Sequence, residues 1–239
     1  MPLYMSDFSG FPSPSDIAKR MPVSVRIYQS LRQQIVRLAL KPGENLNRQH
    51  IAETYRVSQS PVRDAFLRLE AEGLIEIFPQ SRTIVAPIDL DQARETQFLR
   101  LGLELEVCRT LARAGDPSLV EPTGKILFQQ RQALEAEDLE RFVQLDWDFH
   151  FSLCRAAGHP ALWELISGYS GHLDRLRQLN LPDPGKPATI LDCHDRILQS
   201  IRKGDPEAAD VAVREHLSGT LRAANEIMER YPQYFPRSA

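Results

Sequence analysis

The sequence predicts a mainly α-helical protein in which an N-terminal winged helix-turn-helix, three helices plus a β-hairpin, precedes an all-α bundle of about six helices. Three observations carry this. Residues 25–86 read as three short helices and then a hairpin, residues 92–231 hold only helical periodicity, and no repeat of 20–50 residues suggests a solenoid. The 239 residues, 42% of them hydrophobic, are enough for two cores.

Residues 1–20, with Pro2, Pro12 and Pro14 and no apolar period, read as a disordered arm. The first domain is expected over 21–87. Ile27, Leu31, Ile35 and Leu38 form one apolar stripe, which Lys41-Pro42-Gly43 ends. A second helix starts after Asn47, a residue type suited to cap it, with Ile51, Ala52 and Tyr55 inward. The third is expected to use Ser60 as cap and Pro61 as first helical residue, to bury Val62, Ala65, Phe66 and Leu69, and to end at Gly73. Residues 74–78 and 83–86 then alternate as two strands about the turn Pro79-Gln80-Ser81. A linker is expected over 88–91. Helices follow at about 92–114, 118–136, 138–157, 160–178, 188–203 and 206–231, punctuated by Gly115-Asp116-Pro117, Gly158-His159-Pro160, Pro182-Asp183-Pro184-Gly185 and Gly204-Asp205-Pro206. Residues 232–239 are left as a tail.

Charge divides the chain. Residues 20–88 hold 10 Lys/Arg against 6 Asp/Glu, whereas residues 89–239 hold 18 against 24, so a basic small domain sits beside an acidic larger one. That asymmetry suits a DNA reader joined to a module that does not touch DNA. Cys108, Cys154 and Cys193 lie far apart with no C-x-x-C pair, which argues for buried thiols rather than a disulfide framework or a zinc ribbon. The apolar runs are short and no signal peptide precedes them, so a cytoplasmic protein without a membrane partner is expected.

In a helix-turn-helix, the N-terminal end of the second helix of the motif enters the major groove. Here that end is Ser58-Gln59-Ser60-Pro61-Val62-Arg63. Hydroxyls can hold phosphate, Gln59 can read adenine, and Arg63 can reach guanine or phosphate; Arg48 and Arg82 are further candidates. Together with Ile51-Ala52-Glu53, Val57, Asp64-Ala65, Leu67-Arg68-Leu69-Glu70, Glu72-Gly73-Leu74-Ile75 and Val85, these residues resemble the GntR superfamily. The resemblance implies dimeric DNA binding with contacts from Arg48, Ser58, Gln59, Ser60, Arg63 and the wing tip. One departure is the wing turn, where the family usually has glycine and this chain has Ser81-Arg82-Thr83.

Asp146 and His150 lie four apart in one helix and emerge on one face. His194 and His216, each with apolar neighbours at helical spacing, are expected to point inward. Three imidazoles and one carboxylate suit a divalent ion, zinc first and nickel as the alternative. Asp146, Phe149-His150, His194, Ile197-Leu198, Ile201, Gly204-Asp205, Ala208 and His216 resemble the FCD effector domain of FadR-like GntR regulators. That likeness implies a metal at these positions and an organic-acid effector near it. Arg100 matches a family arginine that can face the cavity; its structural alternative is an intrahelical pair with Glu104. His172, Arg175 and Arg177 can line the pocket too, with nothing in the spacing to decide. His159 stands where members often have Asn.

The expected function is a repressor of a metabolic operon, a homodimer on a near-palindromic double-stranded DNA operator, controlled by a small organic acid. One alternative is a metal-dependent hydrolase-like enzyme using the Asp/His site with Glu104 or Asp148 as base. Another is a metal sensor.

Overall fold

The computed structural model describes residues 21–236; the arm expected over 1–20 and positions 237–239 of the expected tail lie outside the described residues. The N-terminal head contains α1 (Val23–Val36), α2 (Arg48–Tyr55), α3 (Gln59–Ala71), β1 (Ile75–Phe78) and β2 (Arg82–Val85). Ile27, Leu31 and Ile35 of α1, Val62, Ala65, Phe66 and Leu69 of α3, and Leu74, Ile75 and Val85 of the wing form its core. Asn47 caps α2 by accepting a hydrogen bond from the His50 amide at 3.0 Å.

Three local details differ from expectation. Leu38 leaves the α1 stripe at φ 59° and packs beside the linker. Helix α3 starts at Gln59 with Ser58 as its cap, two residues early, so Pro61 is the third helical residue. A missing N–H still costs nothing there, because the first four amides of a helix have no partner within it. The wing also has a third edge: the Gly43 and Leu46 amides donate to Val85 and Thr83, and the Val85 amide donates to Glu44. β1 and β2 are antiparallel, Ile75 opposite Val85 and Phe78 opposite Arg82, and Gln80, at φ 56°, takes the left-handed place in the turn.

The bundle comprises α4 (Leu90–Ala114), α5 (Glu121–Glu135), α6 (Leu139–Ala156), α7 (Pro160–Tyr169), α8 (Gly171–Asn180), α9 (Lys186–Arg202), α10 (Pro206–Arg222) and α11 (Ala224–Arg230). These are the six expected helices, two of them broken. The rod expected over 160–178 breaks at Ser170, where the Tyr169 carbonyl accepts the Thr96 hydroxyl at 2.9 Å. The rod expected over 206–231 breaks at Ala223, and α11 places Ile227 against Ile88 of the linker. The main core gathers Leu105, Leu111, Phe142, Leu145, Phe149, Ile197, Ile201 and Val213 among others. All three cysteines are buried and free. Among the described residues, no helix is long and apolar enough to cross a membrane.

The linker is enclosed. Arg175 of α8, with no exposed surface, donates from Nη1 to the Ala86 carbonyl (2.7 Å) and from Nη2 to the Pro87 carbonyl (3.3 Å). Nδ1 of His172 accepts the Asp89 amide at 2.8 Å and faces Arg175 Nη2 at the same distance. Residues 232–236, expected as a tail, instead cover this junction: the Ile88 amide donates to the Tyr234 carbonyl (2.8 Å) and Phe235 is buried. They fold back because Phe235 and Tyr234 can bury apolar surface with Ile88 and Leu176. On the head's other flank, Leu74 sits on the bare α-carbon of Gly171, where a Cβ would lie 2.6 Å from Leu74 Cδ2.

Two outcomes are expected of this junction. Arg175→Met leaves the Ala86 and Pro87 carbonyls without their donor and should cost about 2–3 kcal/mol in urea unfolding; a loss below about 0.5 kcal/mol would show the clamp to be dispensable. Burial, then the nearby Arg175 charge, lowers the His172 pKa to about 4. The unfolded chain therefore binds the extra proton first, and stability should rise with pH from about 4 to about 6.5. His172→Gln should flatten part of that rise; an unchanged pH profile would count against it.

Candidate functional site

On the head, Ser58, Gln59, Ser60, Arg63 and Arg82 are all exposed, the first four at the start of α3 and the last at the wing tip. The Ser58 side chain makes no capping hydrogen bond, so its hydroxyl is uncommitted. Arg48 is half-buried at the first position of α2, with its guanidinium 5.9 Å from the Phe66 ring centre. Arg82 lies over Phe78 at 5.2 Å. His50 is exposed, as its helical position suggests.

Asp146 and His150 on α6, His194 on α9 and His216 on α10 converge in the bundle, each offering one ligand atom, with these atoms all within 4.8 Å of one another. The residues between them explain the placement: Phe142, Leu145, Phe149 and Leu153 bury one face of α6, and the polar pair is carried in beside them. Phe149 stacks on the His194 ring at 3.8 Å between centres and fixes its plane.

The hydrogen-bond pattern leaves an excess of lone pairs. His194 Nδ1 faces Gln130 Oε1 at 2.9 Å, while the amide nitrogen of Gln130 donates to the Phe142 carbonyl, so Nδ1 carries the proton and Nε2 is bare. His150 Nδ1 is 2.7 Å from Glu104 Oε2, off the line of a straight hydrogen bond, and its Nε2 faces His216. His216 Nε2 lies 3.1 Å from the one and 3.3 Å from the other, and can donate to only one of them. Asp146 Oδ1, buried and without a hydrogen-bond partner, stands 3.5 Å from His194 Nε2.

Electrostatics keeps Asp146, His194 and His216 in their ligating forms. Burial lowers the His194 pKa to about 3, and burial with the neighbouring imidazoles holds His216 well below the usual range. Burial alone would raise the pKa of Asp146, but Arg177 and the three imidazoles hold it well below the ordinary carboxylate value. Glu104 is likewise lowered to about 2, because Arg100 and His150 outweigh its burial. Two atoms bound at about 2.1 Å to one ion, 90–109° apart, are about 3.0–3.4 Å from each other. The separations of 3.1 and 3.3 Å fall in that range, 3.5 Å lies just above it, and all four atoms are within 4.8 Å of one another, so the donor set suits a divalent cation after a small contraction.

Two cavities adjoin the cluster. A pocket of about 20 Å³ is lined by Arg100, Arg177, Lys186 and His216. Beside it, a cavity of about 460 Å³ reaches Asp146, Trp147, Trp163, Arg177 and Lys186. Arg100 is thus on the inner pocket, paired through Nε with Glu104 at 2.7 Å, stacked over Trp163, and left with a buried Nη2 that has no partner. Arg177 pairs with Asp146 and lines both spaces, whereas His172 and Arg175 serve the linker. His159 is exposed at the start of α7 and lines neither.

Sequence reasoning missed Gln130, Lys186 and Trp163. Gln130 had a legible signal, a lone amide within the buried stripe Leu127, Gln130, Ala133. Lys186 follows a Pro/Gly-rich loop and has none.

A winged helix-turn-helix joined to an all-helical bundle with a buried Asp/His cluster is the architecture of a DNA-binding transcription regulator. Residues 23–85 match the model of bacterial regulatory proteins of the gntR family, and residues 95–219 match the FCD domain. The chain belongs to the GntR family, in its FadR-like GntR/FCD architecture, and is a transcription regulator rather than an enzyme. It is 35% identical over 214 residues to an HTH-type transcriptional regulator in an unstable DNA locus of Streptomyces ambofaciens, covering 89% of each chain. It is 31% identical over 214 residues to the HTH-type transcriptional repressor RspR of Escherichia coli, covering 90% of this chain and 94% of that one. The solved structure of E. coli McbR/YncC superposes with a TM-score of 0.70 at 21% identity, over 88% of this chain and 99% of that chain, and shares the fold.

Removing the partner of a buried charge is costly. In metal-free protein, Arg177→Met should destabilise the fold by about 3 kcal/mol, and Asp146→Asn in the same chain should recover most of that. A double variant no better than the single one would mean that the Arg177–Asp146 pair is not what compensates the carboxylate.

Proposed function

We propose that this regulator is a homodimeric repressor of a metabolic operon, released or engaged by an organic acid that binds at a divalent metal, zinc or nickel, held by Asp146, His150, His194 and His216. The observation that carries the reading is the facing set of three imidazole nitrogens and one orphaned carboxylate oxygen, donor atoms that a single cation satisfies together. Bound there, the ion supplies a Lewis-acidic point for a carboxylate or hydroxyl. Gln130 and Glu104 hold the His194 and His150 rings in the ligating tautomer. Arg100, through its free Nη2, and Arg177 orient the acid.

DNA contact falls to Arg48, Ser58, Gln59, Ser60, Arg63 and Arg82 on the exposed end of α3 and its surroundings. The repressor sign is supported by the name of the E. coli relative. A second copy is expected on the outer face of α4, where Phe98 is 81% exposed, far more than a large aromatic side chain normally is. A two-fold pair of heads then calls for a near-palindromic operator.

Selection of binding sites from a random duplex library should return a near-palindrome, and Arg63→Ala should weaken it by about 1–3 kcal/mol. No enriched sequence from metal-loaded protein would overturn the operator reading. His194→Ala should lower bound metal, measured by elemental analysis, with the head still folded; full occupancy in the variant would exclude the site. Phe98→Asp should shift the protein from dimer to monomer in sedimentation, and an unaltered mass would place the interface elsewhere.

A further inference from the structure

The larger cavity is walled on one side by the DNA-binding head. Gln29, Arg32, Gln33 and Val36 of α1, with Arg37 just after it, line it opposite the bundle's Trp147, Phe151 and Trp163. α1 is held across the opening by the Arg37–Glu140 pair and by Arg32, which donates to the Ser167 carbonyl while paired with Glu72 at 2.7 Å.

The cavity's chemistry is mixed. At its inner end stand Arg177 and Lys186, which also line the small pocket. Arg177 is committed to Asp146 and Asp174, but Lys186 makes no ion pair among the described residues. Its Nζ occupies the space beside Gly219, where a Cβ would lie 2.7 Å from it. The acidic groups on the same wall are each engaged through one oxygen, Asp146 with Arg177, Asp174 with Ser170, and Asp148 with the Gln144 amide, while Oδ1 of Asp146 and of Asp174 has no hydrogen-bond partner among the described residues. An uncommitted cation is therefore what the inner end presents to a ligand. The rest of the lining includes apolar Trp147, Phe151 and Val36 and the amides of Gln29 and Gln33.

We infer that the effector is an amphiphilic acid, its anionic group at Lys186 and Arg177 and its aromatic or aliphatic body under α1, so that the ligand touches the DNA-binding head directly. This rests on the reading of the inner site given above and names the class of molecule it takes. A short hydroxy-acid fits the inner end and leaves most of the 460 Å³ unfilled, whereas cavities of this size enclose drug-sized molecules. Burying the apolar walls against such a body supplies binding energy that water cannot. Because α1 is part of the wall, ligand affinity depends on where the head sits, and by reciprocity the ligand biases the head.

Both tryptophans of the chain line this cavity, so energy transfer from them reports its occupancy. The probe is 1-anilinonaphthalene-8-sulfonate, an aromatic anion, added to the metal-loaded full-length protein. Transfer should saturate at about one probe per chain, amide exchange should slow over residues 23–36 as well as 142–151, and Val36→Phe should weaken the probe at least tenfold. Gln33→Phe, at an exposed position that the head's core does not need, should do the same if Val36→Phe fails to fold. Slowed exchange confined to the bundle, or probe affinity untouched by the foldable α1 variant, would overturn head contact. Absence of any transfer would overturn the amphiphilic class, and an undiminished metal content in that sample would leave the inner-site reading standing.

Discussion

The buried guanidinium of Arg175 is the constraint on which the rest of the arrangement depends. Among the described residues it has no carboxylate partner; two main-chain carbonyls of the linker, Ala86 and Pro87, take its place. Burial lowers its pKa to about 9, so it remains charged at neutral pH, and a charge in that setting requires its acceptors to stay put. The chain leaving β2 is thereby fixed to α8, and everything that follows from the pose of the head on the bundle follows from that attachment. The same helix carries Arg177 to the ligand centre, so one short element grips the linker at one residue and the Asp146 carboxylate two residues on.

Helix α1 has a comparable double duty. Ile27, Leu31 and Ile35 belong to the head's core, while Gln29, Gln33 and Val36 face the cavity. Residues two apart on a helix point to nearly opposite sides, so a single helix can serve a core and a ligand wall without compromise. Its Arg32 binds both Glu72, at the end of α3, and the Ser167 carbonyl of α7, which joins the DNA-reading helix to the bundle by one side chain.

Much of this was legible in the sequence, and the reason is locality. The α1 stripe, the Asn47 cap, Gly73 and the hairpin are each written within a dozen residues, as is the four-residue step from Asp146 to His150. His194 and His216 were legible as inward-facing residues because apolar neighbours flank them at helical spacing. What escaped depends on partners distant in the chain. The break at Ser170 needs the Thr96 hydroxyl, the fold-back of Phe235 needs Ile88, and the opposite tasks of Arg175 and Arg177 need to know what packs on each side of α8. Arg100 takes the intrahelical pair with Glu104 that was its structural alternative, and it leaves Nη2 without a partner among the described residues.

The contact of Leu74 with Gly171 has a consequence for how such a regulator changes over generations. The absence of a side chain at 171 lets Leu74, three residues past α3, settle onto the bundle, and any larger residue there forces Leu74 to shift. In a two-fold pair the span between heads sets which half-site spacing is read. In the proposed dimer, spacing preference can therefore drift through residue size at position 171, leaving the exposed end of α3 and the Asp/His cluster as they were.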